Sequence, residues 1–87
     1  MMKHFLLRYN VNLCLLGHTD SVGSEVGNKQ LSYLRALNVK RIFVEDFGFN
    51  SERFIVKGMA DSLPVASNQL SDGRAANRRV ELLVELK

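Results

Sequence analysis

One arginine sits where the pattern calls for an apolar residue. A helix-forming stretch ends near Phe47, and stepping along it at about 100° per residue puts Leu31, Ala36, Val39, Ile42, Phe43 and Phe47 on one broad stripe. Arg35 falls inside that stripe, between Leu31 and Val39, and Ser32 falls there too. Both lie toward the start of the helix, beside a polar loop that holds Asp20. A buried guanidinium with no acceptor is strongly unfavourable, so Arg35 requires a partner. Asp20 is the obvious one, and an external anion is the other. The exposed N–H groups of the helix start point the same way. Two kinds of chemistry follow. In the first, Asp20 and Arg35 pair and pin the loop. In the second they stay open and hold the two ends of a zwitterion: Asp20 takes an ammonium, and Arg35 grips a carboxylate through two parallel hydrogen bonds. The residue pattern alone leaves both standing.

The elements that must position these residues run strand, helix, strand, loop, strand. Residues 11–16 form a short apolar run closed by Gly17, which reads as a buried strand. Residues 18–28 contain two glycines among polar side chains and read as a loop. The helix is expected to begin near Asn28 or slightly before it and to stop at Gly48. Residues 53–58 read as a second strand, residues 60–72 as a loop around the single proline, Pro64, and residues 71–77 as a helical turn. The last strand is the clearest. Val80, Leu82, Val84 and Leu86 alternate with Arg79, Glu81 and Glu85, so one face is apolar and the other charged. Residues 3–9 read as the end of a helix running into the first strand. The expected fold class is α+β, a mixed β-sheet with helices packed on one face. Whether the first two strands are parallel or antiparallel stays open.

Composition narrows the function. The chain has 87 residues, 46% of them hydrophobic and 24% charged. That balance suits a single small globular domain over residues 1–87, with a thin core. No window is long or apolar enough for a membrane span. The early basic and apolar residues are interrupted by Arg8, Asn10 and Asn12, which argues against a signal peptide. One cysteine excludes an internal disulfide framework and a cysteine-built zinc site. Cys14 lies within an apolar run and reads as a small buried hydrophobe. Twelve Lys and Arg against nine Asp and Glu give a formal charge of +3. The one dense basic cluster is Arg74, Arg78 and Arg79, and without aromatic residues at stacking positions it does not argue for nucleic acid. His18 stands close to Asp20 but has neither a nucleophile nor a metal partner near it in sequence. These residues do not point to an enzyme, and no cofactor or metal is expected.

In order and spacing, several short motifs together resemble the OmpA-like peptidoglycan-binding domain. They are Gly17-His18-Thr19-Asp20, Asn28, Leu31-Ser32 with Arg35-Ala36, Val39, Gly48, Arg53, Gly58, Pro64, Asn68, and Gly73 through Glu81. The resemblance covers roughly residues 11–87. It implies non-covalent binding of the bacterial cell wall through the meso-diaminopimelate of the peptidoglycan stem peptide, whose free end carries an ammonium and a carboxylate. The family's loop aspartate falls on Asp20, its helix arginine on Arg35, and its asparagine ahead of the Leu-Ser pair on Asn28. Thr19, Leu31 and Ser32 belong to the same loop and helix start, and the family's pocket arginine falls on Arg78. Arg79 begins the last strand on its outward face, where a salt bridge to Glu81 or Glu85 of a neighbouring copy is expected. The resemblance also implies the periplasmic face of the outer membrane or the cell envelope, in a parent protein tethered to the wall.

Two departures stand out. Members of the family have another strand and helix ahead of residue 11, which makes this a βαβαββ core truncated at its N-terminus. The last strand would then be an open edge, inviting a homodimer or segment exchange. Such a truncated module, self-associating and without wall binding, is the alternative reading of function. The second departure is Met59-Ala60, where members often have glycine at the second position; it is expected to affect only the loop.

Overall fold

The computed structural model describes residues 11–86. The helical remnant expected over residues 3–9 lies outside the described residues. In chain order the elements are β1 (Val11–Gly17), α1 (Glu25–Phe47), a 3-10 turn (Ser51–Arg53), β2 (Phe54–Gly58), α2 (Ser71–Asn77) and β3 (Val80–Leu86). β1 is the middle strand of three. β2 runs parallel to it, with Leu13 opposite Phe54 and Gly17 opposite Gly58. β3 runs antiparallel, with Val11 opposite Leu86 and Gly17 opposite Val80. The orientation left open by the sequence is therefore parallel, with α1 as the crossover a parallel pair requires. The fold is α+β with a mixed sheet, as expected. β2 and β3 are both outer strands among the described residues.

α1 starts three residues earlier than the expected Asn28. Ser24 caps it, its Oγ accepting from the Gly27 N–H at 3.0 Å. Gly48 ends it in the left-handed region at φ 74°, and the Phe49 N–H donates to the Phe43 carbonyl at 3.1 Å, closing the last turn. α1 packs across one face of the sheet. Val11, Leu13 and Leu15 point into that layer and are almost fully buried against Ala36, Phe49 and Phe54, with Val39, Phe43, Val44, Val56, Val80 and Leu82 at its margin. Phe43, Phe49 and Phe54 pack edge-on and tilted, with centroids 5.3 Å, 5.7 Å and 6.0 Å apart. On the opposite face Ile55, Cys14 and Leu83 form one cross-strand row; Cys14 is buried and the outer two are half exposed.

The apolar stripe read from the helical wheel is only partly right. Ala36 is buried and Val39 and Phe43 pack on the core, but Leu31, Ile42 and Phe47 are 42%, 46% and 44% exposed. The residues fully buried from α1 are instead Asn28, Ser32 and Ala36. The reason is how close the helix comes to the sheet. A Cβ on Gly17 would sit 1.8 Å from the Ser32 carbonyl oxygen, and one on Gly58 would sit 2.7 Å from the Lys29 carbonyl oxygen. Two glycines let the backbones touch, so the contact selects small residues and turns the large ones outward. β3 departs similarly: Val80 and Leu82 face the core as expected, whereas Val84, on the same side, is exposed.

Candidate functional site

The site is built where the three strands meet the loop after β1. The His18 N–H donates to the Arg79 carbonyl (2.8 Å), the Met59 N–H to the Gly17 carbonyl (2.9 Å) and the Thr19 N–H to the Ala60 carbonyl (2.9 Å). These bonds fix His18, Thr19 and Asp20 as a buried segment. Ser32 links the same knot to α1. Its hydroxyl donates to the Lys29 carbonyl (2.9 Å) and accepts from the Ala60 N–H (3.0 Å). Ala60 adopts φ 51°, left-handed backbone that glycine takes at no steric cost. Its departure from the family's glycine therefore carries backbone strain at a residue bonded to both Thr19 and Ser32.

Asp20 is engaged at both oxygens. Oδ1 accepts from the Val22 N–H at 3.0 Å, and Oδ2 accepts from Arg78 Nη1 at 2.7 Å. Asn28 Nδ2 donates to the Asp20 carbonyl at 3.4 Å. The Asp20–Arg35 pair, one of the two arrangements the sequence left open, is not formed. The Val22 N–H and Arg78 already occupy the carboxylate, and Arg35 Nη1 donates instead to the His18 carbonyl at 3.1 Å, a neutral acceptor two residues earlier. Arg35 is half-buried and has no carboxylate partner among the described residues. The fold thus gathers Thr19, Asp20, Asn28, Ser32, Arg35 and Arg78 around one loop. Leu31, the remaining candidate, stands half exposed on α1.

The Arg78 hydrogen bond, helped by the Val22 N–H, holds the Asp20 carboxyl below its ordinary 3.8 despite opposition from burial. Asp20 is an anion at neutral pH. His18 is 1% exposed, and burial followed by the nearby Arg79 charge lowers it below 6.5 against the pull of Glu81. His18 Nε2 lies 2.7 Å from Glu81 Oε1, within ion-pair distance but without hydrogen-bond alignment. Arg79 bonds the same Glu81 oxygen at 2.9 Å and the Leu63 carbonyl at 2.9 Å. The salt bridge expected with a neighbouring copy is therefore satisfied within the chain.

Three structural features lie beyond what the sequence showed. Asn77 is fully buried. Its Oδ1 accepts from the Val65 and Ala66 N–H groups (2.8 Å and 3.1 Å), and its Nδ2 donates to the Ala66 carbonyl and to Asn68 Oδ1 (3.0 Å and 2.8 Å). It organises the long loop from a position next to Arg78; the only signal was its place within the motif. Thr19 carries a buried hydroxyl with no hydrogen-bond partner among the described residues. The third is a groove of about 750 Å³ beside Asp20, between Ser21 and Gly23, the first turns of α1 at Val26 and Lys29, and the loop after β2 at Met59 and Asp61. Asn28 is its shared wall with the Asp20 loop. Among the described residues, no three His, Cys, Asp or Glu side chains are grouped to hold a metal, and no helix is long and apolar enough to cross a membrane.

Comparison with known proteins places this arrangement. The outer membrane porin F of Pseudomonas aeruginosa is 46% identical over 85 residues, covering 97% of this chain and 24% of the porin. The chain thus spans about a quarter of that relative's length. The cell wall anchor of the T6SS from Pseudomonas aeruginosa superposes with a TM-score of 0.79 at 31% identity, over 99% of this chain and 62% of the other. The peptidoglycan-associated lipoprotein from Burkholderia pseudomallei shares the fold, with a TM-score of 0.87 at 24% identity over 97% of this chain and 71% of the other. The profile of the OmpA family matches residues 2–78. With most of its length matched and the motif residues gathered at one loop, the chain belongs to the OmpA family.

Proposed function

We propose that this chain binds bacterial peptidoglycan non-covalently, through the meso-diaminopimelate of the stem peptide, as an anchoring module of an envelope protein. The observation that carries this reading is the pair Asp20 and Arg35. They bear opposite charges at one loop, yet they are not bonded to each other, and Arg35 has only a neutral backbone acceptor among the described residues. Asp20 takes the ligand's ammonium, sharing its carboxylate with Arg78. Arg35 takes the ligand's carboxylate, for which a planar guanidinium is suited. Asn28 and Ser32 hold the loop. The relatives support the setting: one is named as an outer membrane porin and another as a cell wall anchor. On this reading the module is no enzyme and needs no cofactor, and it works at the periplasmic face of the outer membrane or elsewhere in the envelope.

The test is binding to purified diaminopimelate-type peptidoglycan by the wild type, Asp20→Ala and Arg35→Ala, with folding checked by circular dichroism. Loss of a charge-assisted contact to the ligand costs about 2–4 kcal/mol, so each variant is expected to bind at least tenfold more weakly. Equal binding by a folded Arg35→Ala overturns the assignment. A second reading, self-association through a strand edge, is favoured by the exposed Leu83 and Val84 on β3, an outer strand among the described residues. A folded wild type that fails to bind the wall polymer but elutes as a dimer, by size-exclusion chromatography with light scattering, selects that reading.

A further inference from the structure

The sheet face turned away from α1 has a central apolar row, Ile55, Cys14 and Leu83, whose outer two members are half exposed. The next row toward the candidate site is Lys57, Leu16 and Glu81. It carries a cation on β2 and a carboxylate on β3. We infer that this face docks a second copy of the chain, related by a two-fold axis that lies between the two sheets and runs along β1. The placement of charge selects both occupant and axis. A half turn about that axis lays β2 of each copy over β3 of the other and keeps every row at its own level. Lys57 of each copy then faces Glu81 of the other, and Ile55 faces Leu83. Lys57 has no ion pair among the described residues. Glu81 turns Oε1 toward both His18 and Arg79, which leaves Oε2 to accept from a further cation. Stacked sheets lie about 10 Å apart, a gap that a lysine and a glutamate side chain span together. A half turn about an axis across the strands would instead set Glu81 over Glu85, like charge on like. A partner of a single charge sign would be repelled by one edge of the face, whereas a second copy satisfies both edges at once.

This pairing differs from pairing through a strand edge, because it uses side chains and leaves the main-chain groups of the edges alone. It is also weak. Three strands about 4.8 Å apart, rising about 3.4 Å per residue, offer roughly 300 Å² per copy, well short of the about 800 Å² per partner of a stable complex. The dimer is therefore populated where copies are concentrated. Because the axis runs along β1, the two Asp20 loops lie at the same pole. If the function proposed above holds, such a dimer presents two sites to one polymer, and the second contact becomes intramolecular.

The test is sedimentation velocity of the chain without ligand, so its outcome does not depend on wall binding. The wild type is expected to show a dimer as its concentration rises from about 10 μM to about 1 mM. Lys57→Glu, which sets carboxylate against carboxylate twice per dimer, and Leu83→Glu, which breaks the apolar row, are each expected to weaken pairing at least tenfold, with circular dichroism as the folding check. Cross-linking reads the axis directly. With Cys14 replaced by serine, a short bis-maleimide is expected to join an Ile55→Cys chain to a Leu83→Cys chain faster than it joins either to itself. A wild type that stays monomeric at about 1 mM overturns the interface. Pairing that is unchanged in folded Lys57→Glu and Leu83→Glu also overturns it and moves the contact elsewhere. Faster joining of Leu83→Cys chains to one another overturns it in favour of the β3 edge.

Discussion

Replacing Gly17 with alanine should be among the most damaging single-methyl changes this chain can suffer. The added Cβ would lie 1.8 Å from the Ser32 carbonyl oxygen, 2.7 Å from the Ser32 carbonyl carbon and 3.3 Å from the Ala36 nitrogen. These are backbone atoms in the middle of a 23-residue helix, so no side chain can swing aside. Restoring even a tight contact requires α1 to retreat by about 1.2 Å, and a gap of that size forfeits a large part of the dispersion energy across the interface. The retreat also stretches the bond from the Ala60 N–H to Ser32 Oγ, now 3.0 Å. Overpacking of this kind costs about 1–3 kcal/mol, and a lost buried hydrogen bond adds about 1–3 kcal/mol. We expect a total of about 3–5 kcal/mol, a large share of the roughly 5–15 kcal/mol that stabilises a typical domain. In urea, that corresponds to a midpoint lowered by about 2 M or more, followed by far-ultraviolet circular dichroism. Gly58→Ala, with contacts at 2.7 Å and 2.8 Å, should lose less. Gly48→Ala meets no atom within 4 Å and should lose only about 1 kcal/mol, from its φ of 74°. If Gly17→Ala costs no more than Gly48→Ala, the close helix–sheet contact does not govern stability and the account of the buried stripe fails.

Other perturbations give further checks. Ala60→Gly relieves left-handed strain of about 1–2 kcal/mol against the entropic cost of glycine and the loss of a buried methyl; thermal denaturation should show a net change within about 1 kcal/mol, whereas Ala60→Val should lose more than 1 kcal/mol. Asn77→Ala strips four hydrogen bonds from the loop and should cost about 2–4 kcal/mol, with faster proteolysis near Val65 than in the wild type. Acid should destabilise the fold in two steps. The His18 pKa is lowered by folding, so its contribution is complete above 6.5 and declines as the pH falls below that value; that of Asp20 is complete above 3.8 and is lost as the pH falls through its depressed folded value. Urea midpoints measured from pH 8 to pH 3 should show both declines, and His18→Asn should remove the upper one.

Much of the fold was legible because local chemistry specified it. Gly48 can take the left-handed conformation that ends α1, the run from Val11 closes at Gly17, and the residues from Ser71 to Asn77 did form a helix. The rotation of α1 was not legible in the same way. Hydrophobicity marked Leu31, Ile42 and Phe47, whereas the sheet demanded smallness, and that demand is written in Gly17 and Gly58, far from α1 in sequence. Arg35 was flagged as lying on the buried stripe and is half-buried, but its acceptor is the His18 carbonyl, and a main-chain oxygen leaves no mark in a sequence. The Asp20–Arg78 bond joins residues 58 positions apart; the resemblance placed Arg78 in the same pocket, but the bond itself was not read from the sequence. The groove was invisible for a related reason: its walls come from residues 21–30 and 59–62, which β1 and β2 bring together.

The register of β1 and β3 sets how the domain bears a load. Val11 faces Leu86 at one pole, while Gly17 faces Val80 at the other, beside Asp20 and Arg78. Chain continuing from either strand at the Val11–Leu86 end leaves from the pole opposite the candidate site. Tension between a ligand held at Asp20 and such flanking chain runs along the strands. Where the flanking chain leaves from β3, it shears the β1–β3 hydrogen bonds together, so they resist as a set; where it leaves from β1, the load runs along that strand's covalent backbone. Tension applied across Val11 and Leu86 would instead peel the β1–β3 ladder one bond at a time, which takes far less force. A tether attached at that pole therefore pulls on this fold in its mechanically strong direction.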